Sequence, residues 1–115
     1  MIVNEELLNS LILEMRRGAI ILAVMSRLSE PRYGYSLIQT LETQGLIVEP
    51  GTLYPLLRRL EKQDILESNW DTSESRPRKY YKMSRQGKEL YRRLLEEWKI
   101  LSSSIGGLTT SVEES

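Results

Sequence analysis

The chain has 115 residues with 16 basic and 16 acidic side chains, so its formal net charge is zero, and it contains neither cysteine nor histidine. These absences exclude disulfides, thiolate metal sites, cysteine nucleophiles and every catalytic triad built on histidine. Chemistry based on carboxylates alone would need paired acids in a cleft, and no such pair stands out. We therefore expect no enzymatic activity, no metal site and no cofactor.

The sequence also bears on location and on possible partners. No run of about 18 apolar residues occurs, so we expect no membrane-spanning helix and no membrane partner. The first residues are acidic and lack the basic region of a secretory signal peptide, which predicts a cytoplasmic protein. The length is typical of one domain. Charge is locally segregated, because six basic residues and no acid lie from Arg76 to Lys88.

The first two predicted elements are helices. A long helix is predicted from about Asn4 to Leu28, where apolar residues recur every three or four positions and the apolar stripe widens after Gly18. A stripe of this width indicates contacts on two sides, one with the rest of the domain and one with a partner. A shorter helix is predicted over Ser36–Gln44, ended by Gly45 in the left-handed conformation.

The third helix is predicted to reach Gln63, and its start has two solutions. A start at Pro50 suits the first helical turn, but it places Pro55 inside the helix, where the Gly51 carbonyl loses a hydrogen bond. A tight turn at residues 50–51 with Thr52 as N-cap instead places Pro55 in the first turn, where its missing N–H costs nothing. We prefer the second solution.

A β-hairpin is predicted next. Residues Ile65–Thr72 include several good strand formers, and Arg78–Met83 alternates, with Tyr81 and Met83 on one face. The segment Ser73–Pro77 between them has the composition of a turn. One tyrosine of this hairpin is expected to pack beneath it.

The last predicted helix begins after the N-cap Ser84 and continues to about Ile105, where Gly106–Gly107 ends it. Its large apolar residues lie four, four, three and four positions apart, which is typical of a coiled-coil seam. They are Leu90, Leu94, Trp98, Leu101 and Ile105. Residues 107–115 are predicted to form a disordered tail.

Three helices, a hairpin and a final helix are the order of a winged helix-turn-helix protein, so we predict a mainly α fold with a small β-hairpin. Residues 1–83 would form the DNA-binding domain and residues 84–106 a C-terminal dimerisation helix. In such proteins the N-terminal end of the second helix of the pair contacts bases in the major groove. Arg58 and Arg59 lie on the exposed side of that helix, and arginine can bind guanine there. Periodicity alone fits a solvated helix with ordinary surface charges equally well.

Three segments closely resemble the PadR family of transcriptional regulators. They are Tyr33–Ile38, Gly51–Glu61, and Arg78–Ser84 followed by Gly87. The resemblance covers roughly residues 10–105, and Gly-Thr-Leu-Tyr-Pro combined with Arg-Lys-Tyr-Tyr is highly specific. It implies a homodimeric winged-helix repressor that binds a palindromic operator in double-stranded DNA and is released by a small effector. The chain is similar to the short type, which has a single C-terminal helix.

The element order and the resemblance together assign the expected site residues. DNA contacts are expected from Tyr35, Thr52, Tyr54, Pro55, Arg58, Arg59, Arg76, Arg78 and Lys79. The first and last helices build the dimer in such members, so dimer contacts are expected from Leu8, Ile12, Leu90, Leu94, Trp98, Leu101 and Ile105. Some members stack planar drugs between tryptophans at the dimer centre, and the matching position is Trp98. A planar aromatic effector is therefore expected near Trp98, Leu94 and Met15.

Two positions depart from the family pattern. Asp64 stands where a glycine commonly closes the third helix, which predicts a strained or differently capped helix end. Glu49 stands where a capping Ser or Asn is common, and an acid beside a DNA-facing helix would repel phosphate unless it is turned away. With the zero net charge, Glu49 favours an alternative function, a winged-helix module that binds another protein. Two other expected DNA contacts also have alternatives. Tyr54 could instead pack against the predicted hairpin, which is the wing of a winged helix, and Arg58 or Arg59 could form an ion pair within the chain.

Overall fold

The computed structural model describes residues 2–114, with side chains described for residues 2–110. Four helices and three short strands make a mainly α fold with one antiparallel sheet, in the strand order β1-β3-β2. In chain order they are α1 (Glu5–Ser26), β1 (Arg32–Tyr33), α2 (Gly34–Thr43), α3 (Pro50–Lys62), β2 (Leu66–Asp71), β3 (Arg78–Met83) and α4 (Arg85–Glu114). The predicted fold class, a winged helix-turn-helix with a C-terminal helix, is confirmed.

The hydrophobic core lies between the second half of α1, α2, α3 and the sheet. Each of these elements buries apolar side chains at the spacing of its own periodicity, and burial of such side chains is the main favourable term in folding. The core residues are Ile20, Val24, Met25, Leu28, Leu37, Leu41, Val48, Leu53, Leu57, Leu60, Leu66, Tyr81 and Met83. The first half of α1 and most of α4 add nothing to this core and keep large apolar side chains exposed.

The predicted hairpin is confirmed, and a third strand joins it. β2 and β3 pair in antiparallel register from Leu66 opposite Met83 to Asp71 opposite Arg78. β1 pairs with the other edge of β3, where the Tyr33 and Tyr80 rings meet edge to face with centroids 5.5 Å apart. Sequence analysis missed β1, because a strand of two residues has no alternation to detect.

The predicted helices α1 and α2 are confirmed, although α1 ends at Ser26, two residues before the predicted end, and α2 ends one residue early, at Thr43. The Asn4 side chain accepts a hydrogen bond from the Leu7 N–H at 3.0 Å and caps α1. α2 begins at Gly34, two residues before the predicted start. Gly45 has a φ of 85°, and its N–H and that of Leu46 donate to the last carbonyls of α2, so the predicted left-handed helix end is confirmed.

The preferred start of α3 is wrong. The helix begins at Pro50, and the Glu49 carbonyl accepts hydrogen bonds from the N–H groups of Thr52 and Leu53, each at 2.9 Å. Pro55 consequently lies inside the helix. This start is possible because Pro50 lacks an N–H at a position where none is needed, and because water can solvate the exposed Gly51 carbonyl.

The predicted end of α4 is also wrong. Ser84 does cap the helix, since its Oγ accepts a hydrogen bond from the Gly87 N–H at 2.9 Å. However, the helix continues through Gly106–Gly107 and through the predicted disordered tail as far as Glu114, and Ser115 lies outside the described residues. A glycine in a helix costs about 1 kcal/mol relative to alanine, but it stops the helix only where the chain turns away.

Asp64 closes α3 with a φ of 60°, the only non-glycine residue with positive φ in the described part of the chain. Its N–H donates to the Glu61 carbonyl at 3.0 Å and the Ile65 N–H donates to the Leu60 carbonyl at 3.0 Å, which is the helix ending that glycine favours. An L side chain is strained in this conformation, as the sequence predicted.

Asp64→Gly is expected to raise the free energy of unfolding by about 0.5–1 kcal/mol, because glycine adopts this φ without steric cost. Urea denaturation followed by circular dichroism measures the change. Gln63→Gly is the matched control: Gln63 has a φ of −86°, so glycine there should bring no gain. Equal stability of wild type and Asp64→Gly would contradict this account of the helix end.

Candidate nucleic-acid interface

The outward face of α3 is polar and basic. Leu53, Leu57 and Leu60 hold the opposite side of the helix in the core. The exposed side presents four residues that the sequence assigned to DNA contacts, Thr52, Pro55, Arg58 and Arg59. Among residues 2–110, whose side chains the structure describes, neither arginine forms an ion pair, so the alternative of an internal partner is not observed. Both charges are therefore available to a ligand.

A carboxylate on α3 connects this helix to both strands of the wing, the β2–β3 hairpin. Glu61 accepts a hydrogen bond from the Ser68 hydroxyl of β2. It also forms an ion pair with the Lys79 ammonium of β3, whose Nζ donates a hydrogen bond to the carboxylate at 3.1 Å. The Ser68 hydrogen bond, and next the Lys79 ammonium, hold the pKa of the Glu61 carboxyl below its ordinary value of 4.5. Lys79, an expected DNA contact, thus has its ammonium directed at α3.

Tyr54 packs against the start of α2. A methyl group placed on Gly34 would come within 2.5 Å of the Tyr54 ring and hydroxyl, so the glycine is required for this contact. Tyr54 still keeps 37% of its surface exposed, and it lies on the edge of α3 that faces the wing. The side chain is positioned by packing and is accessible as well.

A cleft of about 730 Å³ opens between the wing, the start of α2 and Tyr54. It brings together five of the expected DNA-contacting residues, Tyr35, Tyr54, Arg76, Arg78 and Lys79. The Arg78 guanidinium lies 4.5 Å from the centre of the Tyr33 ring, which holds it by a cation–π interaction. The other four expected contacts lie on the outward face of α3 instead.

Some contributors to this region were not assigned to the site from the sequence. Glu61 and Ser68 act through contacts between separate elements, so local patterns carry no sign of their partnership. Trp70, exposed at 64%, also lines the cleft. The run Tyr33-Gly34-Tyr35 could have indicated the contact with Tyr54, because a glycine has no Cβ and permits close approach by another group.

The residues expected to build a dimer lie on α1 and α4, which contact each other within the chain. Ile12 is half-buried, whereas the other six are exposed: Leu8, Leu90, Leu94, Trp98, Leu101 and Ile105. Met15, expected at an effector site with Leu94 and Trp98, is exposed too. These two helices thus carry the largest group of exposed apolar side chains among the described residues.

A helix-turn-helix pair with a basic outward face, followed by an antiparallel wing, defines a winged-helix protein of the kind that regulates transcription. Residues 21–93 match the model of the transcriptional regulator PadR-like family, and the chain belongs to that family. None of the helices described in residues 2–114 is long and apolar enough to cross a membrane.

Relatives and solved structures agree with this assignment. A transcriptional regulator of Mycobacterium tuberculosis, Rv3488, is 35% identical over 88 residues, which are 73% of this chain and 82% of that protein. A PadR family transcriptional regulator from Eggerthella lenta is 42% identical and superposes with a TM-score of 0.83, covering 90% of this chain and 93% of that one. A PadR-like regulator from Bacillus cereus is 30% identical with a TM-score of 0.74, covering 83% and 95%.

Glu61→Gln is expected to lower the free energy of unfolding by about 0.5–1 kcal/mol at neutral pH, since the ion pair it breaks is partly exposed. A carboxyl whose pKa is lowered by folding stabilises the protein above its unfolded pKa. That contribution is lost as the pH falls below 4.5 through the folded pKa. The gap in stability between wild type and variant should therefore narrow at about pH 3, measured by urea denaturation.

Glu67→Gln is the matched control, because Glu67 lies exposed on β2 next to Ser68 and forms no ion pair among residues 2–110. It should leave stability unchanged at neutral pH. A loss in Glu61→Gln that stays the same at both pH values would show that the carboxylate charge does not link α3 to the wing.

Proposed function

We propose that this protein is a transcriptional repressor that binds a palindromic operator in double-stranded DNA as a homodimer. The observation that carries the proposal is the outward face of α3, where Arg58 and Arg59 are exposed beside a basic wing and have no ion-pair partner among residues 2–110. In a winged helix this face enters the major groove, where arginine can bind guanine and hydroxyl groups can bind phosphate.

The zero net charge is compatible with this function because the charge is distributed unevenly. Arg76, Arg78 and Lys79 lie at or near the wing tip, close to the edge of α3 that carries Tyr54. Glu49 is exposed just before α3 and its side chain makes no capping hydrogen bond, so it can turn away from phosphate. The alternative, a module that binds another protein, would not require exposed basic residues on both α3 and the wing.

Arg58→Glu combined with Arg59→Glu is expected to weaken operator binding by about 100-fold or more, because each arginine makes a charge-assisted contact worth about 1.5–3 kcal/mol. Gel shifts on the DNA upstream of the protein's own gene, with nonspecific competitor present, measure the affinity. The dimer should persist in the variant.

Arg92→Glu with Lys99→Glu reverses the same number of charges on exposed positions of α4, away from its apolar seam. This control should bind as the wild type does. If the α3 variant binds the operator as tightly as the wild type does, the proposed interface is wrong. If the wild-type protein binds no DNA, the protein-interaction module is favoured instead.

The dimer half of the proposal rests on exposed apolar surface. Leu94, Trp98 and Leu101 are 43%, 43% and 55% exposed on successive turns of α4, and Leu8 on α1 is 40% exposed. Side chains of this kind gain about 25 cal/mol for each Å² removed from water, and a second copy of the same surface is self-complementary about a two-fold axis. Such a dimer would place two α3 helices in successive major grooves, about 34 Å apart.

Leu101→Glu is expected to convert the dimer to a monomer, because it places a charge in the apolar seam, and to reduce operator affinity with it. Sedimentation equilibrium gives the mass of the species in solution. Ser103→Glu adds the same charge on the opposite side of α4 and should remain dimeric. If Leu101→Glu stays dimeric, the dimer forms through another surface.

We further propose that release from DNA uses a planar aromatic effector at the α4 seam, near Trp98, Leu94 and Met15. An effector acts only if it binds one dimer geometry better than the other, and here it would favour the geometry that does not fit DNA. A ligand at this site would change the fluorescence of Trp98. If no compound in a panel of planar aromatic compounds changes that fluorescence, the site is ruled out.

A further inference from the structure

We propose that the cleft between the wing, α2 and Tyr54 is a second ligand site, which binds a small planar aromatic anion of one or two fused rings. Its described lining combines five aromatic residues, three cations and no acid. The lining residues are Tyr33, Gly34, Tyr35, Tyr54, Trp70, Arg76, Pro77, Arg78, Lys79 and Tyr81. Each half of this composition points to a feature of the ligand.

The aromatic residues indicate a flat ring. Tyr81 is buried, with 5% of its surface exposed, and Tyr54 is fixed against Gly34, so these two rings are rigid walls. Tyr35 and Trp70 also line the cleft and are 60% and 64% exposed, although such side chains normally gain free energy by packing. A planar ring bound in the cleft can stack on these surfaces.

The cations indicate a negative charge on that ring. The Lys79 ammonium is compensated by Glu61 at 3.1 Å, which leaves Arg76 and Arg78 as the net charge of the cleft. Asp71, the strand partner of Arg78, does not line the cleft, and its carboxylate accepts hydrogen bonds from the Ser73 N–H and hydroxyl. Arginine forms two parallel hydrogen bonds with a carboxylate, which makes a carboxylate on an aromatic ring the simplest fit.

Duplex DNA does not account for the whole cleft. The backbone of a duplex offers phosphates and sugars to a wing, whereas the faces of its bases are stacked on one another. Arg76, Arg78 and the hydroxyl groups of Tyr35 and Tyr54 suit phosphates, but the ring faces of five aromatic side chains around one cleft do not. The volume of about 730 Å³ also lies within the range of about 300–1,000 Å³ found for small-molecule sites.

The site has a regulatory consequence that rests on the proposed function. Tyr35, Tyr54, Arg76 and Arg78 belong both to the cleft and to the expected DNA interface. A ligand that occupies them competes directly with DNA, without any change at the dimer seam. Binding of the ligand itself does not depend on whether the protein binds DNA, so the two proposals are tested separately.

The experiment uses fluorine NMR of the full chain labelled with 5-fluorotryptophan, because the only tryptophans are Trp70 in the cleft and Trp98 on α4. Trp70→Phe and Trp98→Phe assign the two resonances. The probes are 2-naphthoate, its neutral analogue 2-naphthamide, and cyclohexanecarboxylate, which keeps the charge and lacks the aromatic ring. We expect 2-naphthoate to shift the Trp70 resonance saturably and the other two probes to bind at least about tenfold more weakly.

Arg78→Gln should weaken 2-naphthoate about tenfold, whereas Lys82→Gln, with the same charge change on the same strand outside this cleft, should not. An unshifted Trp70 resonance, a shift confined to Trp98, or equal affinity for 2-naphthoate and 2-naphthamide would overturn the proposal. A saturable Trp70 shift in a protein that binds no DNA would keep the site and refute the proposed function instead.

Discussion

The contact on which the functional surface depends is the Glu61 carboxylate, which joins α3 to β2 through Ser68 and to β3 through Lys79. In the proposed complex both the helix and the wing contact DNA, so their relative position must be set before binding or the ordering cost is added to it. A partly buried charge pair with a hydroxyl donor fixes that position more specifically than apolar contact does, since the geometry of hydrogen bonds is directional. The Glu61 contacts therefore connect the wing and the outward face of α3 into one continuous surface.

The protein divides its apolar surface between two tasks. The buried core residues all lie between Ile20 and Met83, so most of α4 contributes no side chain to the core. α4 is attached at its start, where the Ser84 Oγ donates to the Asp64 carbonyl at 2.6 Å and Gly87 is in close contact with the Ile65 carbonyl. If α4 carries the dimer contacts, its direction from this junction sets the spacing of the two α3 helices. A ligand between the last helices would then alter spacing, while a ligand in the wing cleft would block the DNA surface itself.

Local patterns predicted most of the fold. The left-handed end of α2 at Gly45, the alternation of β3 and the leucines of α3 all follow from residues close together in the chain. The errors arose where two local rules competed. Pro50 and Pro55 could not both occupy a first turn, and the helix formed at Pro50 because exposed Gly51 tolerates a carbonyl without its usual partner. Gly106–Gly107 does not end α4, because the described residues that follow continue the helix and none turns back to pack there.

The candidate site was predictable to a smaller extent. The resemblance to the PadR family identified residues on α3 and the wing, but it could not show that Lys79 is paired to Glu61, 18 positions away in sequence. The wing cleft likewise forms only where three separate elements meet, so the position of Trp70 in its lining could not be predicted from the sequence around Trp70. Pairings between distant elements depend on tertiary packing, which periodicity in one chain segment does not encode.

The central claim is that two copies of this chain bind one palindromic DNA site through paired α3 helices. The most direct measurement is selection of bound duplexes from a random library, followed by titration of the selected duplex at several salt concentrations. The account predicts an enriched inverted repeat with half-sites about one helical turn apart, two chains bound per duplex, and affinity that falls steeply with salt. Absence of enrichment over the starting library, or binding that is indifferent to salt, would contradict it.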